Sequence, residues 1–516
     1  MDTETLIIGS GVAGSLLARE LLSRGYGPVL MLEAGPAFEM RRQRSWLDYV
    51  MTKQAPYNHL HDLEGDFSSS GVAPWYLPGG RLFGRGGSTI HWGGWTPRAQ
   101  PEDFLFQTNT GEGHDWPYDY DALEPFYCQA EAYLQVAGDS DAAPARSQPY
   151  PLPPAPYPAS LGPVIEALGR LGYSSQVLPI ARNTRAIAGH AKCQTIGTCD
   201  YCPIGARFTG DQPLDALADN PDFTLMLDAP VQRLLMSSKT QVTGVEYLDN
   251  TTGELHTVDA ARVFLCAGAL EIPKLLMVSA NADWPDGIGN DADLVGRYVV
   301  ASPFLYVRGQ ADQNPNKLQA ELNFPTVCSR HWDTPTQQLD SNKLFVTANP
   351  DTPAVDVAAL MNQGRSAADI DAAITGPMAF ELWGALQEKS LFENRVTVGD
   401  GTTRFGLPQT KLDIPRQGYT DEVKNGYLDL MSGILTEAGI AVEVAIGFPQ
   451  RGDHAMCTTR MSTSDTDGVV GPDLRVHGVD NLYIASNAVM PYSMAANPTL
   501  TLVAVILKAL ADLPER

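Results

Sequence analysis

A chain of 516 residues is too long for one hydrophobic core, so two or three domains are expected. Its 44% hydrophobic content is ordinary for a soluble globular protein, and a formal charge of -24 argues against nucleic acid or anionic membrane held through a basic patch. The longest apolar runs fall short of the roughly 20 residues that span a bilayer, and no leader precedes the first strand. The expected location is therefore cytoplasmic, with folded export on a partner's signal left open.

Thr5-Leu6-Ile7-Ile8 reads as a buried parallel strand. Gly9-Ser10-Gly11-Val12-Ala13-Gly14 follows, then a helical pattern from Ala13 to Arg24, then a strand Val29-Leu30-Met31-Leu32 that ends at Glu33. This strand–turn–helix–strand unit carries G-x-G-x-x-G in its first turn and an acid about 20 residues on, the pattern of a dinucleotide site. Gly9 permits the turn, Gly11 admits a pyrophosphate, and Gly14 lets helix meet strand. Glu33 suits a ribose hydroxyl.

Residues 35–78 read as loop. The run Gly84-Arg85-Gly86-Gly87-Ser88-Thr89-Ile90-His91-Trp92-Gly93-Gly94 is dense enough in glycine to pass close to a flat ligand. Residues 138–160, rich in Pro, Ala and Ser, read as a connector. Of 7 cysteines, three cluster at Cys193, Cys199 and Cys202, within the loop 193–206. Their spacing admits an iron–sulfur cluster, a zinc with a further ligand, or a Cys199–Cys202 disulfide.

Val231 to Leu248 and Val263 to Gly268 read as strands returning to the first sheet, with a hairpin near Asn250-Thr251-Thr252-Gly253. Between 295 and 450, strand-like runs such as Leu305-Tyr306-Val307-Arg308 and Thr410-Lys411-Leu412-Asp413-Ile414 predict an antiparallel second domain. Two loops near the C-terminus offer His454 and Asn497. Asn497 suits an N-cap, Pro498 the first helical position, and Leu500 to Leu510 the helix body.

Together these motifs resemble the glucose–methanol–choline (GMC) oxidoreductases, over nearly the whole chain. Further residues that carry the resemblance are Ala267-Gly268-Ala269-Leu270-Glu271-Ile272-Pro273, Glu393-Asn394-Arg395-Val396-Thr397 and the run from Gly468 to Tyr483. Within the family, Asn497-Pro498-Thr499-Leu500-Thr501 and Gly87-Ser88-Thr89-Ile90-His91-Trp92 are most similar to pyranose oxidases, to glycoside 3-oxidases and to the large subunits of bacterial sugar dehydrogenases. Cys202-Pro203-Ile204-Gly205-Ala206 resembles the cysteine cluster of the last group.

The resemblance implies an α/β fold of two domains: a Rossmann-like FAD-binding domain over 1–294, an antiparallel-sheet substrate domain over 295–450, and a return over 451–516 that brings the catalytic loops. It implies FAD held by Gly9, Gly11, Gly14, Glu33, Gly87, Ser88, His91, Val231, Asn487, Pro498 and Thr499. The matching histidine of pyranose oxidases is bonded to the flavin; for His91 that bond and a noncovalent role both stay open. His454 would be the general base and Asn497 its partner. Cys193, Cys199 and Cys202 would hold an iron–sulfur cluster or remain thiols. A glycine is usual where Cys457 and Ser462 sit, which bears on the backbone shape of that loop.

The implied reaction is oxidation of a secondary alcohol of a sugar or glycoside to a ketone. Electrons would pass to oxygen, a quinone or a protein, with a small or cytochrome subunit as an open partner. A non-redox lyase of the same fold is the remaining alternative.

Overall fold

The computed structural model describes residues 2–38, 43–52, 54–61, 64–194, 201–312, 326–334, 339–351 and 357–513. Its centre is a seven-stranded sheet. The strands Phe223–Met226, Val29–Leu32, Asp2–Ile8 and Glu254–Leu265 lie side by side in parallel. Leu6, Ile7, Leu30 and Met31 are buried on both faces of this sheet, which is why they form near-continuous apolar runs. The strand Glu254–Leu265 has two sets of neighbours. Its first half pairs antiparallel with Gln241–Asp249, which continues to Val231–Ser238. Its last three residues pair in parallel with Leu482–Ile484, so the end of the chain returns to the first sheet.

A six-stranded antiparallel sheet forms a second layer, in the order Ala441–Gly447, Phe304–Ala311, Met378–Leu386, Leu344–Asp351, Val327–Ser329 and Gln176–Val177. Alternate residues on one face, Leu305, Val307, Val346 and Leu382 among them, pack on Leu428, Met431 and Ile434 of the helix Asp421–Glu437. The other face turns Phe304 toward the first sheet's cavity.

Three expectations change. The stretch 35–78 contains a helix, Gln43–Thr52, and a strand, Phe67–Gly71. That strand has no alternation to read, being Phe-Ser-Ser-Ser-Gly, and is held by parallel pairing to Pro408–Ile414. Thr410 to Ile414 therefore lies in a small three-stranded sheet with Arg395–Thr402, not in the six-stranded one. The run from Val231 to Leu248 is two strands, with a tight turn at Lys239 and Thr240. Among the described residues no helix is long and apolar enough to cross a membrane.

Candidate active site

A cavity of about 670 Å³ opens between the glycine-rich turns and the six-stranded sheet. Gly9, Gly11, Glu33 and Val231 line it from the parallel sheet, and Gly87, Ser88 and His91 from the glycine-rich segment. Asn487, His454, Asn497 and Thr499 line it from the C-terminal loops. Neither Gly14 nor Pro498 is on its wall. A Cβ on Gly14 would sit 2.0 Å from the Gly9 carbonyl oxygen, so this glycine serves the contact of helix with strand. The two glycine-rich segments touch: a Cβ on Gly87 would lie 2.9 Å from Gly11 Cα.

Glu33 is buried and fixed by the first turn. Its Oε2 accepts from the Ser10 amide at 2.9 Å and the Ser10 hydroxyl at 2.7 Å, and its Oε1 from the Gly35 amide at 3.0 Å. Burial pushes its carboxyl above the usual range, and these hydrogen bonds pull against that.

His91 does not stand alone. Its Nδ1 lies 2.8 Å from His61 Nε2, and the Tyr57 ring meets both imidazoles edge-on. Burial, helped by the charges of His61, Arg207 and Arg451, lowers His91 to about 3. Burial lowers His61 as well. His61 and Tyr57 also line the cavity. No spacing in the sequence ties His61 to His91, and it fell in a stretch that reads as loop.

His454 and Asn497 meet at the wall. Asn497 Nδ2 lies 2.9 Å from His454 Nε2, and the Phe304 ring stands 5.4 Å from the imidazole. Asn497 is thus not an N-cap. The helix spans Thr499–Ala511, its cap residue is Pro498, and the Asn497 amide is turned to the histidine instead. The N–H groups of Thr499, Leu500 and Thr501 precede the first intrahelical bond, from Leu502 N to Pro498 O at 2.9 Å, and give that end a partial positive charge. Burial lowers His454 to about 4, so the ring is neutral at neutral pH. Beside it, burial raises Asp453 to about 6, with Arg451 opposing.

The two loops are tied from behind by Gln387 and Glu388, at the end of the strand Met378–Leu386. Gln450 and Ser493 stand four residues before His454 and Asn497 respectively. Gln450 Nε2 donates to Glu388 Oε2 at 2.7 Å, and the Gly418 amide to Glu388 Oε1 at 2.9 Å. Gln387 Nε2 donates to Ser493 O at 2.7 Å, and the Ser493 hydroxyl donates to Glu388 O. Burial raises Glu388 to about 7 against its two donors. Cys457 takes a left-handed backbone, φ 72°, where a glycine would pass without strain. Its amide donates to Asn487 O at 3.2 Å, which holds the histidine loop to the Asn487 turn.

Cys193 and Cys202 carry free thiols, and Cys199 lies outside the described residues. Among the described residues no group of three His, Cys, Asp or Glu side chains could hold a metal ion. The described part of the cysteine run does not complete a cluster site.

Sequence profiles described as GMC oxidoreductase match residues 3–297 and 446–505. The chain belongs to the GMC oxidoreductase family. Among full-length relatives, it is 28% identical to the fructose dehydrogenase large subunit of Gluconobacter japonicus, over 99% of this chain and 97% of that one. It is 29% identical to the 6'''-hydroxyparomomycin C oxidase of Streptomyces lividus, over 98% and 90%. The crystal structure of pyridoxine 4-oxidase from Mesorbium loti superposes with a TM-score of 0.66 at 19% identity, covering 99% of each chain.

A GMC oxidoreductase is an FAD-dependent enzyme acting on CH–OH groups, and the cavity of this one fits the cofactor. Glu33, fixed at the end of its strand, offers the kind of acceptor an adenosine ribose would need, and Gly9 and Gly11 line the same cavity. Asn487 Oδ1, Asn497 Oδ1 and His454 Nδ1 are buried with no hydrogen-bond partner among the described residues. Such atoms are costly in a bare protein, and a ligand with polar edges answers them.

Proposed function

We propose that this oxidoreductase converts a secondary alcohol of a sugar or glycoside to a ketone. The observation that carries the reading is the buried, neutral His454 paired with Asn497 on the wall of an FAD-sized cavity. The fructose dehydrogenase relative acts on a sugar by name, which supports the substrate class.

Bound FAD supplies the hydride acceptor. His454 takes the hydroxyl proton at its unprotonated nitrogen. With Asn497 Nδ2 donating, that nitrogen is Nε2, and the substrate hydroxyl would take the amide's place at its one lone pair. The Asn497 amide shares the substrate oxygen and fixes its direction, so that the C–H is held in line for transfer. The start of the helix Thr499–Ala511 favours negative charge on its side of the cavity. Residues 1–294 and 451–516 hold the cofactor in this reading, and residues 295–450 cover the substrate.

The electrons then leave for a quinone or protein acceptor. Direct reoxidation by oxygen is the second reading, because one full-length relative is an oxidase. Anaerobic mixing of FAD-loaded protein with sugars and their glycosides tests the proposal. Bleaching of the flavin bands with a keto-sugar product supports it, and no bleaching with any member sinks it. Oxygen consumption separates the two acceptors. Iron content of the same sample tests Cys193, Cys199 and Cys202 as a cluster.

A further inference from the structure

The six-stranded sheet is mainly aliphatic on its helix-facing side, with Phe380 among the aliphatic residues, and carries a cluster of aromatic rings on the other. Leu305, Val307 and Leu382 are at most 1% exposed against the helix Asp421–Glu437. Their neighbours Phe304, Tyr306 and Trp383, on the opposite face, are only half-buried. Register places Tyr306 directly across from Trp383 and Phe304 across from Ala385. The Tyr306 and Trp383 ring centroids are 4.7 Å apart, and those of Phe304 and Trp383 6.2 Å. Phe448, which leads into the loop of His454, stacks on Trp383 at 5.5 Å with planes 12° apart. Rings therefore run without a break from His454 through Phe304 to Trp383, one ring beyond the cavity wall.

One carboxylate holds this surface in place. Glu381 Oε1 accepts from the Tyr306 hydroxyl at 2.6 Å, and Glu381 Oε2 from the Trp383 indole N–H at 3.2 Å. The polar edges of both rings are satisfied within the protein, and their rotamers are fixed before anything binds. A cluster needed only for packing would be expected on the face that meets the helix. Here it lies on the face from which Phe304 reaches the cavity, in a chain with a formal net charge of -24.

We infer that Phe304, Tyr306, Trp383 and Phe448 form an outer subsite for the second ring of a glycoside whose first ring is oxidised beside His454. A sugar or aryl ring presents a flat C–H or π face that matches an aromatic wall, with its polar groups directed to the rim. The subsite adjoins the catalytic cavity through Phe304, and that continuity is what assigns it to the substrate's outer part. The inference rests on the sugar reading above and narrows it: the substrate is a glycoside carrying a ring-sized aglycone or a further sugar.

The test compares methyl and phenyl glycosides of whichever parent sugar bleaches the flavin. The wild-type protein is expected to favour the phenyl glycoside in kcat/KM by roughly five- to tenfold, the scale of one good aromatic contact. Trp383→Ala collapses that ratio toward one, and Trp383→Phe, which keeps a ring, restores part of it. Flavin content and melting temperature are read on each variant. Phe448→Leu gives the same collapse should Trp383→Ala fail to fold. A wild-type ratio near one overturns the subsite, as does a ratio that survives in folded Trp383→Ala. Absence of bleaching by every sugar and glycoside removes the sugar reading and the subsite with it. Turnover of both glycosides with equal efficiency removes the subsite alone.

Discussion

In the proposed reaction one buried imidazole, that of His454, is the base. Desolvation holds His454 neutral down to about 4, so it is a competent base across the neutral range and imposes no acid limb there. His454→Ala is expected to lower kcat by a factor on the order of 10² or more with FAD retained. Stopped-flow flavin reduction checks this, and an unchanged rate in flavin-loaded protein removes His454 from the mechanism. The His61–His91 pair makes a second expectation. His91 Nδ1 is engaged by His61, and we expect His91 to serve by packing and hydrogen bonding. Acid precipitation should then release the flavin into the supernatant, whereas flavin that stays with the pellet shows a covalent bond. His454 and Asn497 were legible in the sequence because each stands in a motif-bearing loop. His61 was not, because its partner lies across a turn that only tertiary packing closes. Asn497 was legible as a residue but not as a contact: a helix-capping residue and a side chain facing a ligand look alike until the helix start is seen.

Between the loops that carry His454 and Asn497 stands the end of one strand. Glu388 accepts from two donors, Gln450 and the Gly418 amide, and among the described residues faces no charged side chain that shifts it. It acts on the phenols of Tyr419 and Tyr492, both raised chiefly by burial. Its carboxyl is raised to about 7, so it ionises above that pH and takes a proton below it. Once protonated, one oxygen becomes a donor facing a donor, and the tie to Gln450 or Gly418 is lost. Turnover should therefore fall on the acid side with a midpoint near 7. Glu388→Gln should lower kcat and flatten that limb, because an amide cannot titrate. A limb that stays in place in Glu388→Gln assigns it elsewhere. Strands with apolar runs, such as Val29–Leu32, were readable one by one. The strand Phe67–Gly71 was not, since its serines carry no periodicity and parallel pairing alone defines it.

Over the whole molecule, buried histidines and buried carboxyls pull in opposite directions as pH falls. His454, His91 and His114 are pressed to about 4, about 3 and about 4, from 6.5. The unfolded chain takes up those protons first, so stability from these groups is lost as pH drops below 6.5. Glu388 and Asp453, raised to about 7 and about 6, do the reverse and favour the folded chain as pH falls toward their unfolded values. That gain ends near 4, while below about 4.5 the unfolded chain begins to protonate Glu271, which burial raises but Lys274 and Arg81 hold at about 2 in the folded chain, so the stability it contributes is lost as pH falls further. Melting temperature should thus vary little between about pH 7 and about pH 5 and fall steeply below about 4.5. Scanning fluorimetry across that range checks it, and a melting temperature still rising at about pH 4 contradicts it.

The late return of the chain to its first sheet has a consequence during synthesis. The ribosome releases the strand Glu254–Leu265 long before Leu482–Ile484, its last neighbour, exists. Until then Val263, Phe264 and Leu265 present an open apolar edge to other nascent chains. A product that stops short of that strand lacks Asn497 as well. Premature termination anywhere in that interval should therefore yield inert, aggregation-prone fragments that burden chaperones, and never a partly active enzyme.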